Sequence, residues 1–435
     1  MRSRAVLLAL FLAALAGDAA AQALPRRADS GAAVASPADG KGGRIVRFRE
    51  GSVLEKVGLK VGDEIVELDG HALPDAAAFE RWRRLKAGRV QLAVRRGPET
   101  LRLTVDLPPM REETIDGLEV RYGAATTDKG YRVRTYTTRP KSETGRLPLV
   151  VFIPWLSCGA AESPLVATDG WSRMPRDVMT GSGMQVVRIE KPGVGDSEGP
   201  DCAQSDLDHD LAAFRAGSRV ALADPGVDPA RLYLFGGSIG GALVPVLARD
   251  FAVKGIIATG GYTRTWLEHM LDIERRRLTL SGKTPAEVTA AMRGFAGFYD
   301  RVLNEGLTPA QAIAARPEWK AIWYDAPEHQ YGRPIRYYQQ LQRLEVEDAW
   351  HRVTAPTLVV WGDLDWIMGR DESDRAVDIL RSRDPTRVTY VIRPRMNHHF
   401  ETFPDAAAAF REQGGRYDAG AAQAMVEWLR AQERK

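Results

Sequence analysis

Apolar positions along the chain fall into three regimes, and each predicts a different kind of structure. From Ala5 to Ala16 they are continuous (AVLLALFLAALA) behind a basic start, Met1-Arg-Ser-Arg4, and small residues follow at Ala19-Ala20-Ala21-Gln22-Ala23. A run this short does not span a hydrocarbon core of about 30 Å as a helix, so the pattern predicts a signal peptide over residues 1–23, cut after Ala21 or Ala23. An uncleaved anchor is the alternative. Export implies a periplasmic or secreted protein with no membrane attachment after cleavage. From 24 to 39 the sequence is rich in Ala, Pro, Ser and Arg with no hydrophobic period, which predicts a flexible linker.

The second regime, residues 40–108, alternates over short stretches. Ile45 and Phe48 open it, a helical turn over Val53–Val57 stops at Gly58, and Glu64–Leu68 reads as a strand before the Asp69-Gly70 turn. Asp75 is placed to cap a helix running to about Leu85. Val90, Leu92 and Val94, then Leu101, Leu103 and Val105, alternate on either side of Arg96-Gly97-Pro98 as a hairpin does. A small β-rich domain is expected.

In the third regime, residues 115–435, continuous apolar runs alternate with helical periods. Leu118–Tyr122, Tyr131–Thr137, Leu149–Ile153, Gln185–Ile189, Leu232–Phe235, Gly255–Ala258, Thr357–Trp361 and Val388–Ile392 read as strands, several of them continuous apolar runs of the kind buried in a parallel sheet. Helical patterns cover Asp206–Leu222, Gly240–Arg249, Ser373–Leu380 and Ala421–Ala431. This predicts an α/β fold with a doubly wound, mostly parallel sheet. About 95 residues, 261–355, separate two of its strands, far more than a usual α/β connection, and read as a helical cap or lid. Its aromatics, among them Trp266, Phe295, Phe298, Tyr299, Trp319 and Tyr337, either hold the cap together or line an apolar pocket.

Composition adds exclusions. Sixty Lys+Arg against 57 Asp+Glu leave +3 on 435 residues, with no basic tract to suggest nucleic-acid binding. HExxH, GxxxxGK[ST] and CxxC are absent, so neither a metal nor a cofactor is assigned.

The candidate chemistry lies in the third regime. Gly236-Gly-Ser238-Ile-Gly240 stands between a strand and a helix, where a serine on a tight turn is presented as a nucleophile. A second copy, Gly195-Asp-Ser197-Glu-Gly199, runs into Pro200 and cannot start that helix, so Ser197 reads as a loop residue. In this architecture the acid and then the base follow the nucleophile. Asp365, preferred over Asp363, ends the strand Thr357–Trp361; His398, with His399 as the alternative, follows the last strand in Arg395-Met-Asn-His-His-Phe400. The oxyanion donors are then expected at Ile239, directly after the nucleophile, and in the loop Pro154-Trp155-Leu156-Ser157, with Leu156 favoured.

WLSCG, KPGVGDSEGP, FGGSIGG, GDLDWIM and MNHHF occur in an order that resembles the α/β-hydrolase fold, specifically secreted bacterial esterase-type members with an N-terminal extension. The loop opening Pro154-Trp155 departs from the His-Gly common in that superfamily. In that fold the loops carrying Cys158 and Cys202 emerge at one sheet edge, which implies a disulfide in an oxidising compartment, two free thiols being the alternative. GSVLEKVGLKVGDEIVELDG resembles the core of a PDZ domain of the kind on bacterial periplasmic proteases. Such domains take a C-terminal peptide as a strand added beside the one that starts near Gly43, or persist as packing domains.

The expected activity is a carboxylesterase acting on small-molecule esters through Ser238, His398 and Asp365. The alternatives are a serine peptidase or aminopeptidase of the same fold cleaving short peptides, and an inactive scaffold that binds through the PDZ-like domain.

Overall fold

The computed structural model describes residues 24–35, 42–74, 81–82, 84–164 and 167–435. The signal-peptide reading and most of the helix expected after Asp75 lie outside the described residues. The chain divides into two units, one ending at Glu112 and including the segment Gly193–Asp201, the other made of Glu113–Pro192 and Cys202–Lys435.

In the first unit, strands β1 (Ala32–Ala35), β2 (Gly43–Phe48), β3 (Glu64–Leu68), β5 (Gly88–Arg96) and β6 (Glu99–Leu107) form an antiparallel sheet in that order, with β4 (His71–Ala72) beside β3. Ile45, Leu54, Ile65, Val90, Leu92, Val94 and Val105 fill its core.

One expectation is corrected here. Residues 24–35 are not linker. Arg27 and Ala28 bridge to Lys86 and Pro109, and Ala32–Ala35 pairs with β2 from Ala32↔Phe48 to Ala35↔Arg44. The Arg26 guanidinium donates to Asp196 at 2.6 Å, and Asp196 has no solvent exposure. Alanines supply backbone partners for an edge strand without an apolar alternation, so periodicity could not reveal them. The same strand bears on the peptide expectation. β2 pairs with β1 over one stretch and with β3 through Gly43 and Arg44, so the place beside β2 expected for a peptide is held by the chain itself.

The second unit is built on eight strands. Those not yet given are β7 (Leu118–Thr126), β8 (Arg132–Pro140), β9 (Leu147–Ile153), β10 (Gln185–Ile189), β11 (Val227–Gly237), β12 (Gly255–Thr259), β15 (Thr357–Gly362) and β16 (Val388–Arg393); β13 (His329–Gln330) and β14 (Arg333–Pro334) make a separate hairpin. The sheet order is β16-β15-β12-β11-β9-β10-β8-β7, parallel from β16 to β10 and antiparallel at β8 and β7. Successive side chains of a strand face opposite ways. Leu149, Val151 and Ile153 accordingly enter one hydrophobic core while Val150 and Phe152 enter the other. Leu232 and Leu234 divide from Tyr233 and Phe235 in the same way. That explains why these strands read as unbroken apolar runs: helices cover both faces of the sheet.

Helices Leu207–Leu222 and Ile239–Leu247 pack on one face, and Gly170–Ser182 and Ala419–Glu433 on the other. Helix Gly170–Ser182 was not expected from the pattern. It carries Pro175 inside it and glycines at 170 and 181, all poor helix formers, but Asp169 caps it through a reciprocal box with Ser172. Between β12 and β15 the cap is mainly helical, with helices Trp266–Leu280, Pro285–Tyr299, Pro309–Ala315, Ile335–Gln342 and Val346–Arg352.

Candidate active site

The turn that presents Ser238 is made possible by its glycines. β11 ends at Gly237 and a helix starts at Ile239, leaving Ser238 at φ 57°, ψ −124°, a conformation an L-residue rarely adopts. A Cβ on Gly236 would lie 2.1 Å from the Gly240 carbonyl oxygen, and one on Gly240 would lie 2.1 Å from that of Ile153. Both approaches exclude any side chain. The strained turn is held by the Ser238 N–H, which donates to the Thr259 carbonyl at 2.8 Å.

Ser238 Oγ does not cap the helix it precedes. It lies 2.9 Å from His398 Nε2, and His398 Nδ1 lies 2.7 Å from Asp365 Oδ2. A carboxylate only accepts, so Nδ1 carries the proton and Nε2 is left to accept from the serine hydroxyl. The other oxygen of Asp365 accepts from the N–H groups of Ile367 at 3.0 Å and Met368 at 2.8 Å, which fixes the carboxylate plane. All three side chains are buried. Gly260, at φ 50°, makes room for them: a Cβ there would come within 3.1 Å of Asp365 Oδ2 and 3.2 Å of His398 Nδ1.

The alternatives are placed elsewhere. Asp363 is exposed and accepts from the Arg395 N–H at 2.5 Å. His399 Nδ1 faces Glu412 Oε1 at 3.0 Å, and burial followed by the charge of His398 lowers its pKa. Ser197 is buried in a loop of the first unit.

Ile239 begins its helix, so its N–H belongs to the first turn, where amides lack intrahelical partners. Leu156 is half-buried against the same core as Ile239. Its loop is fastened twice. Lys191 Nζ donates to the carbonyls of Trp155 and of Ser157, the latter at 2.5 Å, and Cys158 is disulfide-bonded to Cys202 with Cα atoms 5.8 Å apart. Arg333 Nη1 lies 2.6 Å from Cys202 Sγ, and Nη2 donates to Asp210 at 2.7 Å.

Two residues at the site carried no signal in the sequence. The Trp171 ring stands 5.3 Å from the His398 ring, 4.3 Å from Trp155 and 5.1 Å from Phe400. The helix reaches that position because Gly170 lets it pass the His399 carbonyl, 1.8 Å from where a Cβ would be. Lys191 sits in a motif already singled out, KPGVGDSEGP, yet nothing in the string shows that its ammonium is turned inward.

Of the cap aromatics, Trp266, Phe295, Phe298, Tyr299, Trp319 and Tyr337 are buried in the unit's core. Phe298 packs on Trp319 at 5.8 Å and on Trp323 at 4.9 Å, and Phe295 stacks on Tyr299 at 5.8 Å, so these rings hold the cap together. His269, beside Trp266 and Tyr262, has its pKa lowered to about 3 by burial, with Arg276, His398 and Arg264 adding to the effect.

Solved structures similar to this chain include Est1E from Butyrivibrio proteoclasticus with ferulic acid bound, at 18% identity, covering 72% of this chain and 99% of that one with a TM-score of 0.46. The esterase domain of a Rhodothermus marinus protein is 17% identical over 72% of this chain and 98% of its own, TM-score 0.42. A Pyrobaculum calidifontis esterase is 16% identical over 73% and 87%, TM-score 0.42. No curated protein sequence matches the chain. The model of the family described as serine aminopeptidase, S33, matches residues 175–402, a span that takes in the elbow, the cap, Asp365 and His398. With just over half of its length in that match and an α/β-hydrolase sheet beneath the site, this chain belongs to the serine aminopeptidase S33 family and is a serine hydrolase.

Proposed function

We propose that the protein hydrolyses carboxylic esters of small to medium acyl groups through a Ser238–His398–Asp365 triad. The observation that carries this reading is the 2.9 Å approach of Ser238 Oγ to a His398 whose other nitrogen faces the buried Asp365. A serine hydroxyl is a weak nucleophile near neutral pH. His398 takes its proton as Oγ attacks the ester carbonyl, and Asp365 stabilises the imidazolium that forms. The tetrahedral oxyanion is met by the Ile239 and Leu156 N–H groups. Collapse expels the alcohol, which receives the proton from His398. Water, activated by the same imidazole, then releases the acid from the acyl-enzyme.

The family description supports a second reading, hydrolysis of the amino-terminal peptide bond of short peptides by the same groups. Export to a periplasm or beyond is supported by the Ala5–Ala16 run behind two arginines and by the Cys158–Cys202 disulfide. We read the first unit as a PDZ-like packing module, because β1 lies where a peptide strand would add.

Turnover of 4-nitrophenyl esters and of aminoacyl 4-nitroanilides, measured on one preparation, separates the readings. Ester hydrolysis that disappears in Ser238→Ala supports the first; faster anilide hydrolysis favours the second. Hydrolysis of neither class overturns both.

A further inference from the structure

Lys191 is the unexplained residue of the site. Its side chain is buried, and both of its hydrogen bonds run to backbone carbonyls, those of Trp155 and Ser157. Among the described residues it makes no ion pair; Asp210 and Glu190 act on it only at longer range, against Arg333. Taking an ammonium out of water carries a desolvation penalty that two carbonyl contacts without a counter-charge offset only in part. A loop fastened to the fold at Cys158 by a disulfide has little need of so expensive a second tie for stability alone.

The direction of the tie supplies a reason. Every described peptide bond is trans, so the N–H of Leu156 points opposite to the carbonyl of Trp155 within one peptide plane. Holding that carbonyl toward Lys191 turns the Leu156 N–H the other way. At its base the loop leaves β9 against the first turn of the Ser238 helix, where Gly240 meets the Ile153 and Pro154 carbonyls.

We propose that Lys191 is the positioning residue of the oxyanion hole: by gripping the carbonyls on either side of Leu156 it aims the Leu156 N–H at the oxyanion formed on Ser238. The inference rests on the ester-hydrolysis reading above. It makes Lys191 contribute to the transition state rather than to substrate binding, without touching the substrate.

The test compares 4-nitrophenyl acetate with its thionoester, in which sulfur replaces the carbonyl oxygen. Sulfur accepts hydrogen bonds weakly, so the thionoester draws little from the oxyanion donors. In Lys191→Met, kcat on the oxoester should fall on the order of 10²-fold with KM changed less than about threefold, and kcat on the thionoester should fall far less. A shifted loop could also disturb His398 through the Trp155 and Trp171 rings, but a displaced base slows both esters alike. Equal losses on the two esters, or no loss on either, overturn the proposal. If Lys191→Met lacks a cooperative thermal transition, Lys191→Gln and Lys191→Arg, which keep N–H donors, carry the comparison. The oxoester-to-thionoester ratio should then follow oxoester kcat, and a ratio independent of it overturns the assignment. If the wild-type protein hydrolyses neither ester, the ester reading fails and this inference with it; if it hydrolyses both and the ratio ignores Lys191, only this inference fails.

Discussion

The guanidinium of Arg333 and the carboxylate of Asp210 meet at 2.7 Å with both side chains closed to solvent, at 0% and 1% exposure. Arg333 comes from the β14 hairpin strand of the cap and Asp210 from helix Leu207–Leu222, so the pair joins the cap to the sheet's helical layer beside the disulfide. Removing one partner leaves a buried charge. Arg333→Met should destabilise by about 3–5 kcal/mol, near the lower figure because Lys191 acts electrostatically on Asp210. Adding Asp210→Asn should recover much of that loss. Urea unfolding of the single and double variants measures it; a double variant worse than the single would show that the pair is not the source of the effect.

Ser238→Ala should lower ester kcat by at least about 10⁴-fold, His398→Ala by at least about 10³-fold, and His399→Ala by less than tenfold. Ser197→Ala should leave turnover within a few-fold. Steady-state kinetics on 4-nitrophenyl acetate, with thermal melts to establish folding, check all four, and an inactive His399→Ala would move the base assignment.

His269 makes stability depend on pH. Its folded pKa is about 3 against an ordinary value of 6.5, so above about pH 6.5 both folded and unfolded states carry it neutral and it contributes nothing to the dependence. As pH falls from about 6.5 toward 3 the unfolded chain takes up a proton that the folded one refuses. Folding is then penalised by up to about 1.4 kcal/mol per pH unit. Wild-type stability minus that of His269→Phe should therefore decrease from pH 7 to pH 4. Equilibrium urea curves across that range read the difference, and a flat difference rules the effect out.

The Cys158–Cys202 bond closes a loop with a sequence separation of 44 residues. By the chain-entropy relation such a loop contributes up to about 4 kcal/mol, so the double Cys→Ala variant should unfold at lower urea by a comparable amount. Mass spectrometry of the unreduced protein should find no alkylatable thiol; two would contradict the bond.

How much was legible in the sequence depended on whether the signal was local. Strands β9, β11, β12 and β15 could be read because a central parallel strand has apolar neighbours on both faces, and its own residues record this as a largely apolar run. The elbow was legible because the strained turn and the close helix crossing at Gly236, Ser238 and Gly240 are satisfied by residues within five consecutive positions. Chain order narrowed the acid to two aspartates and the base to two histidines. It went no further, because neighbouring residues on one loop share every local property. What separates Asp365 from Asp363 is the pair of Ile367 and Met368 amides on its free oxygen and the facing His398. Tertiary structure alone decided the rest. Ala32–Ala35 became a strand through its partner's backbone rather than its own side chains. Trp171 reached His398 because Gly170 lets a helix pass the His399 carbonyl. Lys191 turned inward onto two carbonyls that lie 34 and 36 residues away in sequence, a distance across which no period or motif carries information.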